Sequence, residues 1–424
     1  MSNRTHAGWD FIRKVALFAI LAALSSVADG IPPAGSAEWQ DSVKSMIGSR
    51  DAIMVSDPAG HILLRKNANR KLIPASILKI FTSLTALHYL GAEYRYWTEF
   101  YLDDADNLKI KGYGDPLLIS EIVDVVSKLL AALLCGSETV HDIILDDSYF
   151  SQPLTIPGIS TSTQPYDAPN GAFCVNFNTV NFRRTQSGYS SAEPQTPLLP
   201  RAEKRIKSLK LDSGRYVLSH VANENTLYAG DLFKYFLKRH GLHVNGKVKL
   251  GRVNKSADRL LYRYVSRFTV AEIISGLLEH SNNFTTNQLL ITSGIKSFGA
   301  PGNLAKGVRA ALDFAEQDLN IADLDIVEGS GISRNNRVTA GQLMAVLEKF
   351  EPYRFLMRRQ GSEYYKTGTL HGIRTRAGFI AGADDERYRY VVMLNTPGKS
   401  TVPVMNKLLQ TLGNDEALGM NIEN

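Results

Sequence analysis

Between Pro74 and Gly91 the apolar residues Ile77, Leu78, Ile80, Phe81, Leu84 and Leu87 recur at helical spacing. They predict one helix, with Pro74 where a helix begins and Gly91 suited to its C-terminal cap. Ahead of it, residues 38–47 read as a helix, and residues 52–56 and 61–65 as strands joined by the turn Asp57-Pro58-Ala59-Gly60. The other end of the chain has the matching texture. Residues 364–371, 375–381 and 388–395 read as strands, with Asp384-Asp385-Glu386 as a turn before the last, and residues 402–412 as a closing helix. The two ends are therefore expected to share one antiparallel sheet with helices packed on it.

Residues 94–267 differ in texture. Strand candidates at 98–101, 108–111, 142–145, 179–183 and 247–250 alternate with Asp, Gly, Pro and Ser clusters. Helical periodicity is convincing only at 120–134 and 229–240, and the polar stretch 187–210 reads as a surface loop. This segment is expected to be a β-rich insertion of one or two small domains. Helices return after it. One runs from Thr269 to about residue 279, the loop His280-Ser281-Asn282-Asn283 interrupts it, and another begins over 284–291. The glycine-rich turn Glu328-Gly329-Ser330-Gly331-Ile332-Ser333-Arg334 leads to Thr339, which with Gln342 makes a capping box for a helix to Phe350. Lys366-Thr367-Gly368-Thr369 begins a strand, and alternation sends Lys366 and Gly368 to one face, Thr367 and Thr369 to the other.

A chain of 424 residues allows two or three modules and a sizeable core. The net charge of +6 comes from dispersed basic residues with no Lys/Arg block, so no nucleic-acid partner is expected. Arg4, Arg13 and Lys14 precede an apolar run over residues 15–24, and Ser26-Val27-Ala28 supplies the small residues of a signal-peptidase site. An export signal over residues 1–28, cut after Ala28, is expected, with an uncleaved anchor as the alternative. Only Cys135 and Cys174 occur, so export implies no disulfide framework, and their pairing stays open.

The chemistry centres on Ser76 and Lys79. Three residues apart at a helix start, they lie on one face, and a lysine desolvated against an apolar stripe becomes a base for the hydroxyl. The competing reading is a capping serine and a solvated lysine. Ser293-Gly294-Ile295-Lys296 repeats the pattern in what reads as a glycine-bearing turn, and Ser333-Arg334-Asn335 repeats the spacing of Ser281 and Asn283. His240 and His243 have a ligand-like spacing but follow a helix end and read as surface residues. No metal or organic cofactor is expected.

Ser-x-x-Lys at a helix start, Ser-x-Asn between two helices and Lys-Thr-Gly on a late strand occur here in that order. The chain resembles the penicillin-binding proteins and serine β-lactamases. It is most similar to the class C D-alanyl-D-alanine carboxypeptidase/endopeptidases, which carry an insertion between the first two motifs; 205 residues separate Ser76 from Ser281 here. Gly114-Asp115-Pro116, Asp146-Asp147-Ser148-Tyr149-Phe150, Gly329-Ser330-Gly331-Ile332-Ser333-Arg334 and Lys366-Thr367-Gly368-Thr369-Leu370 extend the likeness.

The resemblance implies an α+β fold. A transpeptidase-like catalytic domain (residues 29–93 and 268–424), with an antiparallel sheet flanked by helices plus an all-helical part, would carry the β-rich insertion (94–267). It implies that Ser76 attacks a D-Ala-D-Ala carbonyl while Lys79 takes its proton, that Ser281 and Lys366 relay a proton to the departing D-alanine, and that Asn283 holds the peptide carbonyl or Lys79. The backbone N–H groups of Ser76 and Thr369 would form the oxyanion hole, and Thr367, Thr369 and Lys366 would receive the terminal carboxylate beside Gly368. Arg334 is read either as lining the substrate pocket or as a structural turn residue. The implied partners are peptidoglycan stem peptides and β-lactam antibiotics, in a periplasmic location compatible with loose association with the inner membrane. A β-lactamase and a non-catalytic penicillin-recognising scaffold are the alternatives, and the insertion and the complete motif set argue against them in turn.

Overall fold

The computed structural model describes residues 36–134, 140–382 and 386–413. The expected export signal, Cys135 and the Asp384-Asp385 turn lie outside them. The chain divides after Met46. In the first unit the described element is helix α1 (Ser36–Met46), with Glu38 in its first turn and Lys44 in its last, charges that complement the helix dipole. All that follows concerns the second unit, from Ile47 onward.

Strands from both ends of the chain form one six-stranded antiparallel sheet in the order β11-β12-β13-β14-β1-β2, comprising β1 (Asp51–Ser56), β2 (Ile62–Lys66), β11 (Arg358–Gln360), β12 (Glu363–Leu370), β13 (Ile373–Ala381) and β14 (Arg387–Leu394). The closure is the β1–β14 pair, in register from Asp51 opposite Leu394 to Ser56 opposite Arg389. Val391, Val392, Met393 and Leu394 are all buried, the continuous apolar run of a strand covered on both faces. Helix α9 (Ala340–Phe350) packs on β14 and β1, and α10 (Val402–Leu412) on β13. The helix after Ser76, α2 (Leu78–Leu90), is buried at every position from Leu78 to Leu87. It is therefore a central helix enclosed on all sides, not one with a single apolar stripe. Around it stand α6 (Val270–His280), α7 (Asn283–Phe298), α8 (Leu304–Leu319) and α9. The capping boxes Thr269/Glu272 and Thr339/Gln342 fix where α6 and α9 begin.

A second apolar core gathers Phe100, Ile110, Val126, Leu145, Phe182, Phe233 and Tyr264, all between the two halves of the six-stranded sheet in sequence. It lies within a five-stranded sheet, β10-β3-β4-β5-β9, a three-stranded sheet, β7-β6-β8, and the helices beside them. The first comprises β3 (Arg95–Leu102), β4 (Leu108–Gly112), β5 (Ile143–Asp146), β9 (Val248–Leu250) and β10 (Arg259–Thr269), with β4, β5 and β9 parallel. The second comprises β6 (Thr179–Thr185), β7 (Gly188–Ser191) and β8 (Gly214–Val217). The helices are α3 (Ser120–Leu133), α4 (Pro200–Leu209) and α5 (Glu224–Arg239).

Two sequence expectations are corrected here. The stretch 187–210 is not a surface loop but holds β7 and α4, because Ala202 and Ile206, spaced four apart with Pro200 at the helix start, bury one face of an otherwise charged helix. Ser293 and Lys296 lie inside α7 rather than in a turn.

Candidate active site

The chain enters the site through Pro74 and a single 3-10 turn, Ala75–Ile77, before α2 begins. Side chains three apart eclipse in a 3-10 turn, so Ser76 stands over Lys79, and Lys79 Nζ lies 3.0 Å from Ser76 Oγ. Ser76 makes no capping hydrogen bond, which removes the reading of a mere cap. Ala75, just before it, is held at φ +49°, a conformation non-glycine residues enter at a cost and keep only when their surroundings impose it.

Lys79 is fully buried. Its amine makes two further contacts, to Asn283 Oδ1 at 2.7 Å and the Ser330 carbonyl at 2.6 Å. The Asn283 amide is oriented by its nitrogen, which donates to the Tyr166 carbonyl at 3.2 Å, so both of these partners are acceptors. A neutral amine has two N–H groups, which they occupy, and one lone pair, which is left facing the Ser76 hydroxyl. Burial drives the Lys79 pKa well below its ordinary value, the Lys366 charge lowers it further, and the Glu328 carboxylate opposes both. Lys366, nearly as buried, is brought down from 10.5 to about 8 by desolvation, with Glu279 raising and Arg358 lowering it. Two amines in one desolvated site cannot both stay fully charged.

Ser281 is the left-handed C-cap of α6 at φ +56°, and Asn282 caps α7 by accepting from the Thr285 N–H. The sharp turn between the two helices thus carries Ser281 and delivers Asn283 onto Lys79. Strand β12 alternates as expected: Lys366 and Gly368 are buried, Thr367 and Thr369 exposed and free to meet a ligand. Gly368 packs against the Ser76 turn so closely that a Cβ there would lie 2.8 Å from the Ser76 nitrogen and 3.0 Å from Ala75 Cβ. On another side Gly331, at φ +80°, would place a Cβ 1.9 Å from the Ala75 carbonyl oxygen. These two contacts help to hold Ala75 in its unusual conformation. Arg334 is exposed, and its guanidinium donates to the His371 carbonyl at 2.6 Å, linking the glycine-rich turn to the β12–β13 corner.

The structure therefore brings Ser76 and Asn283 each into direct contact with Lys79 and sets Gly368 against the Ser76 turn. The second Ser-x-x-Lys is not built like the first: Ser293 Oγ donates to the Leu289 carbonyl of its own helix and Lys296 is exposed. His240 bonds Asp124 at 2.7 Å, and among the described residues no group of three or more His, Cys, Asp or Glu could hold a metal ion. Cys174 is a free, buried thiol. Two participants were not legible in the sequence. Tyr166 reaches the site by a backbone carbonyl, which carries no sequence signal. Glu328 was visible only as the acidic start of a glycine-rich turn.

A sequence profile described as the D-Ala-D-Ala carboxypeptidase 3 (S13) family matches residues 39–358. The chain belongs to that family. Among curated proteins, the D-alanyl-D-alanine carboxypeptidase of Actinomadura sp. strain R39 is 24% identical over 435 residues, covering 85% of this chain and 80% of the relative. The D-alanyl-D-alanine carboxypeptidase DacB of Haemophilus influenzae is 25% identical over 45% of this chain and 44% of its own length. Among solved structures, penicillin binding protein 4 of Haemophilus influenzae superposes with a TM-score of 0.68 at 18% identity, covering 88% of this S13 chain and 98% of that one. That protein has also been solved complexed with a β-lactam, matching here with a TM-score of 0.66. The predatory endopeptidase Bd0816 of Bdellovibrio bacteriovorus superposes with a TM-score of 0.52 at 16% identity, over 88% and 95% of the two chains. These likenesses establish the penicillin-binding fold.

Proposed function

We propose that this serine D-Ala-D-Ala carboxypeptidase acts on peptidoglycan stem peptides through an acyl-enzyme on Ser76. The observation that carries the assignment is the Lys79 amine, fully buried, 3.0 Å from Ser76 Oγ and held by two fixed acceptors, so that its neutral form would keep a lone pair for the serine proton. In acylation, Ser76 Oγ bonds to the carbonyl carbon of the penultimate D-alanine as its proton passes to Lys79. The tetrahedral oxyanion is held by the N–H groups of Ser76 and Thr369, an interaction whose loss typically costs about a hundredfold or more in rate. The C–N bond then breaks and the proton passes by way of Ser281 and Lys366 to the departing D-alanine amine. Thr367 and Thr369 receive the terminal carboxylate on the exposed face of β12, cationic Lys366 adds its charge from the buried face, and Arg334 adds positive charge at the rim. Water, deprotonated by the neutral Lys79 amine, hydrolyses the ester.

We further propose that residues 29–93 and 268–424 form the catalytic domain and 94–267 an insertion, a division supported by the sheet that unites both ends and by the separate core centred on Phe100 and Phe233. The basic and apolar start of the chain supports export to the periplasm after cleavage at Ala28, where loose contact with the inner membrane is compatible with the net charge.

Labelling with a fluorescent penicillin followed by peptide mapping tests the assignment. A β-lactam offers a strained amide beside a carboxylate, so one adduct is expected, on Ser76. It should be absent from folded Ser76→Ala and unchanged in Ser293→Ala. An adduct on any other residue, or none on folded protein, overturns it and favours the non-catalytic scaffold.

A further inference from the structure

Glu328 is fully buried, and every contact its carboxylate makes is with a hydrogen-bond donor. One oxygen accepts from the Ser330 N–H at 2.6 Å, Ser330 Oγ at 2.7 Å and Asn287 Nδ2 at 3.1 Å. The other accepts from the Gly331 N–H at 2.7 Å, Asn336 Nδ2 at 2.7 Å and the Ser333 N–H at 3.3 Å. Five of these six partners are N–H groups, which can only donate, so the surroundings are built for a carboxylate and not for a carboxylic acid. Such a cage is far more than a turn needs, because glycine-rich turns close with one or two backbone bonds.

Its consequence lies two residues along the chain. Ser330, bound to Glu328 through both its N–H and its hydroxyl, turns its carbonyl onto Lys79 Nζ at 2.6 Å. The neighbouring Gly329 carbonyl accepts from Thr82 Oγ1 at 2.7 Å, and the Gly329 N–H donates to Asn287 Oδ1 at 2.9 Å. Asn287 is one helical turn beyond Asn283, the other acceptor on Lys79. Both acceptors that fix the amine are thus referred to one buried anion: Ser330 directly, and the start of α7 through Asn287.

We infer that Glu328 is a positioning residue for acylation, a buried anion that aims the Ser330 carbonyl at Lys79 and counters the positive charge of Lys366 at that amine. The inference rests on the reading of Lys79 as the base for Ser76. The charged groups bearing on Lys79 are Lys366 on β12 and Glu328 itself, while Lys366 in turn feels Glu279 of α6 and Arg358 of β11. Glu328 favours the protonated amine. It thereby keeps Lys79 basic enough to pull the serine proton despite desolvation and Lys366.

The test is the second-order rate of acylation by benzylpenicillin from acid to alkaline pH, with melting temperature measured in parallel. On the acid limb the rate falls because Lys79 becomes protonated. Glu328→Gln removes the anion and turns an N–H toward donors. It should lower the rate at neutral pH by about tenfold or more, and move the acid limb down by about half a pH unit or more. Glu328→Asp retains the charge but ends one carbon short, so the acid limb should stay in place while the rate falls about tenfold. A Glu328→Gln protein with its acid limb where wild type has it overturns the electrostatic part, since a merely structural residue lowers the amount of active protein equally at every pH. Should Glu328→Gln not fold, Glu328→Asp decides alone: folded and as fast as wild type, it overturns the inference. Wild-type protein that takes no adduct on Ser76 is a different result, and refutes the reading of the site rather than the role of Glu328.

Discussion

Gly368→Ala is a one-carbon change whose consequence follows from the packing of β12 on the Ser76 turn. The added Cβ would stand 2.2 Å from Thr375 Oγ1, 2.8 Å from the Ser76 nitrogen and 3.0 Å from Ala75 Cβ. To reach ordinary contact with the hydroxyl it must retreat by about 1.2 Å. The hydroxyl cannot yield freely, because it donates to the Pro74 carbonyl at 2.7 Å; rotating Thr375 away forfeits that bond, a loss of about 1 kcal/mol. Rotation would still leave the new methyl pressed on the Ser76 nitrogen, so β12 and the turn must separate by about half an ångström. Overpacking of this kind costs about 1–3 kcal/mol of stability, which in a chain of this size lowers the melting temperature by only a few degrees. Catalysis should suffer more, since displacing reacting groups by about 1 Å costs on the order of a hundredfold in rate. The assay is time-resolved acylation by a fluorescent penicillin beside thermal melting. A loss of labelling of about tenfold or more, in a protein that still melts cooperatively within a few degrees of wild type, is expected. A Gly368→Ala protein labelled at the wild-type rate would refute the argument that close approach of β12 to Ser76 sets the geometry.

Two further outcomes follow from the charges of the site. Lys366 has a folded pKa of about 8 against 10.5 in the unfolded chain; the folded state binds fewer protons between those values, so the burial penalty is fully present below about pH 8 and stability from this group rises as pH climbs to 10.5. Its hold on a carboxylate is lost over the same window, so acylation should fall above about pH 8, and Lys366→Arg should flatten that alkaline fall; an identical fall in both proteins would contradict the role given to Lys366. Arg334→Ala removes an exposed guanidinium and its bond to the His371 carbonyl, and should reduce kcat/KM for a D-Ala-D-Ala peptide about tenfold while moving the melting temperature little; a large loss of stability with unchanged kinetics would make Arg334 a structural turn residue only.

Local chemistry made much of the fold legible from the chain. The capping box of Thr339 and Gln342, the Pro-Gly turn between β1 and β2 and the limits of α10 are decided within a few residues of themselves, so the sequence and the structure agree on them. The period-two alternation that buries Lys366 and Gly368 and exposes Thr367 and Thr369 is likewise a property of any strand. The stretch 187–210 misled because its helix is charged on most of its surface and anchored by Ala202 and Ile206, too sparse a signal to outweigh the surrounding polar residues. Helix α8 and strand β10 went unread, although for α8 the local signal is present: Asn303 caps it, and Ala311, Phe314, Ala315 and Leu319 recur at helical spacing.

By itself, the sequence determined the order of the three motifs and their placement at a helix start, an interhelical turn and a strand, because spacing along one element dictates which side chains share its face. Tertiary structure alone decided which of two Ser-x-x-Lys tetrads brings its serine and lysine into contact. Ser293 satisfies its hydroxyl within its own helix and Lys296 faces water, whereas Lys79 is enclosed by α2, α7 and the Glu328 turn, where desolvation and two fixed acceptors leave its lone pair to Ser76. Desolvation is a property of everything around a group, contributed here by residues more than 200 positions away in the chain, and no window of sequence contains it.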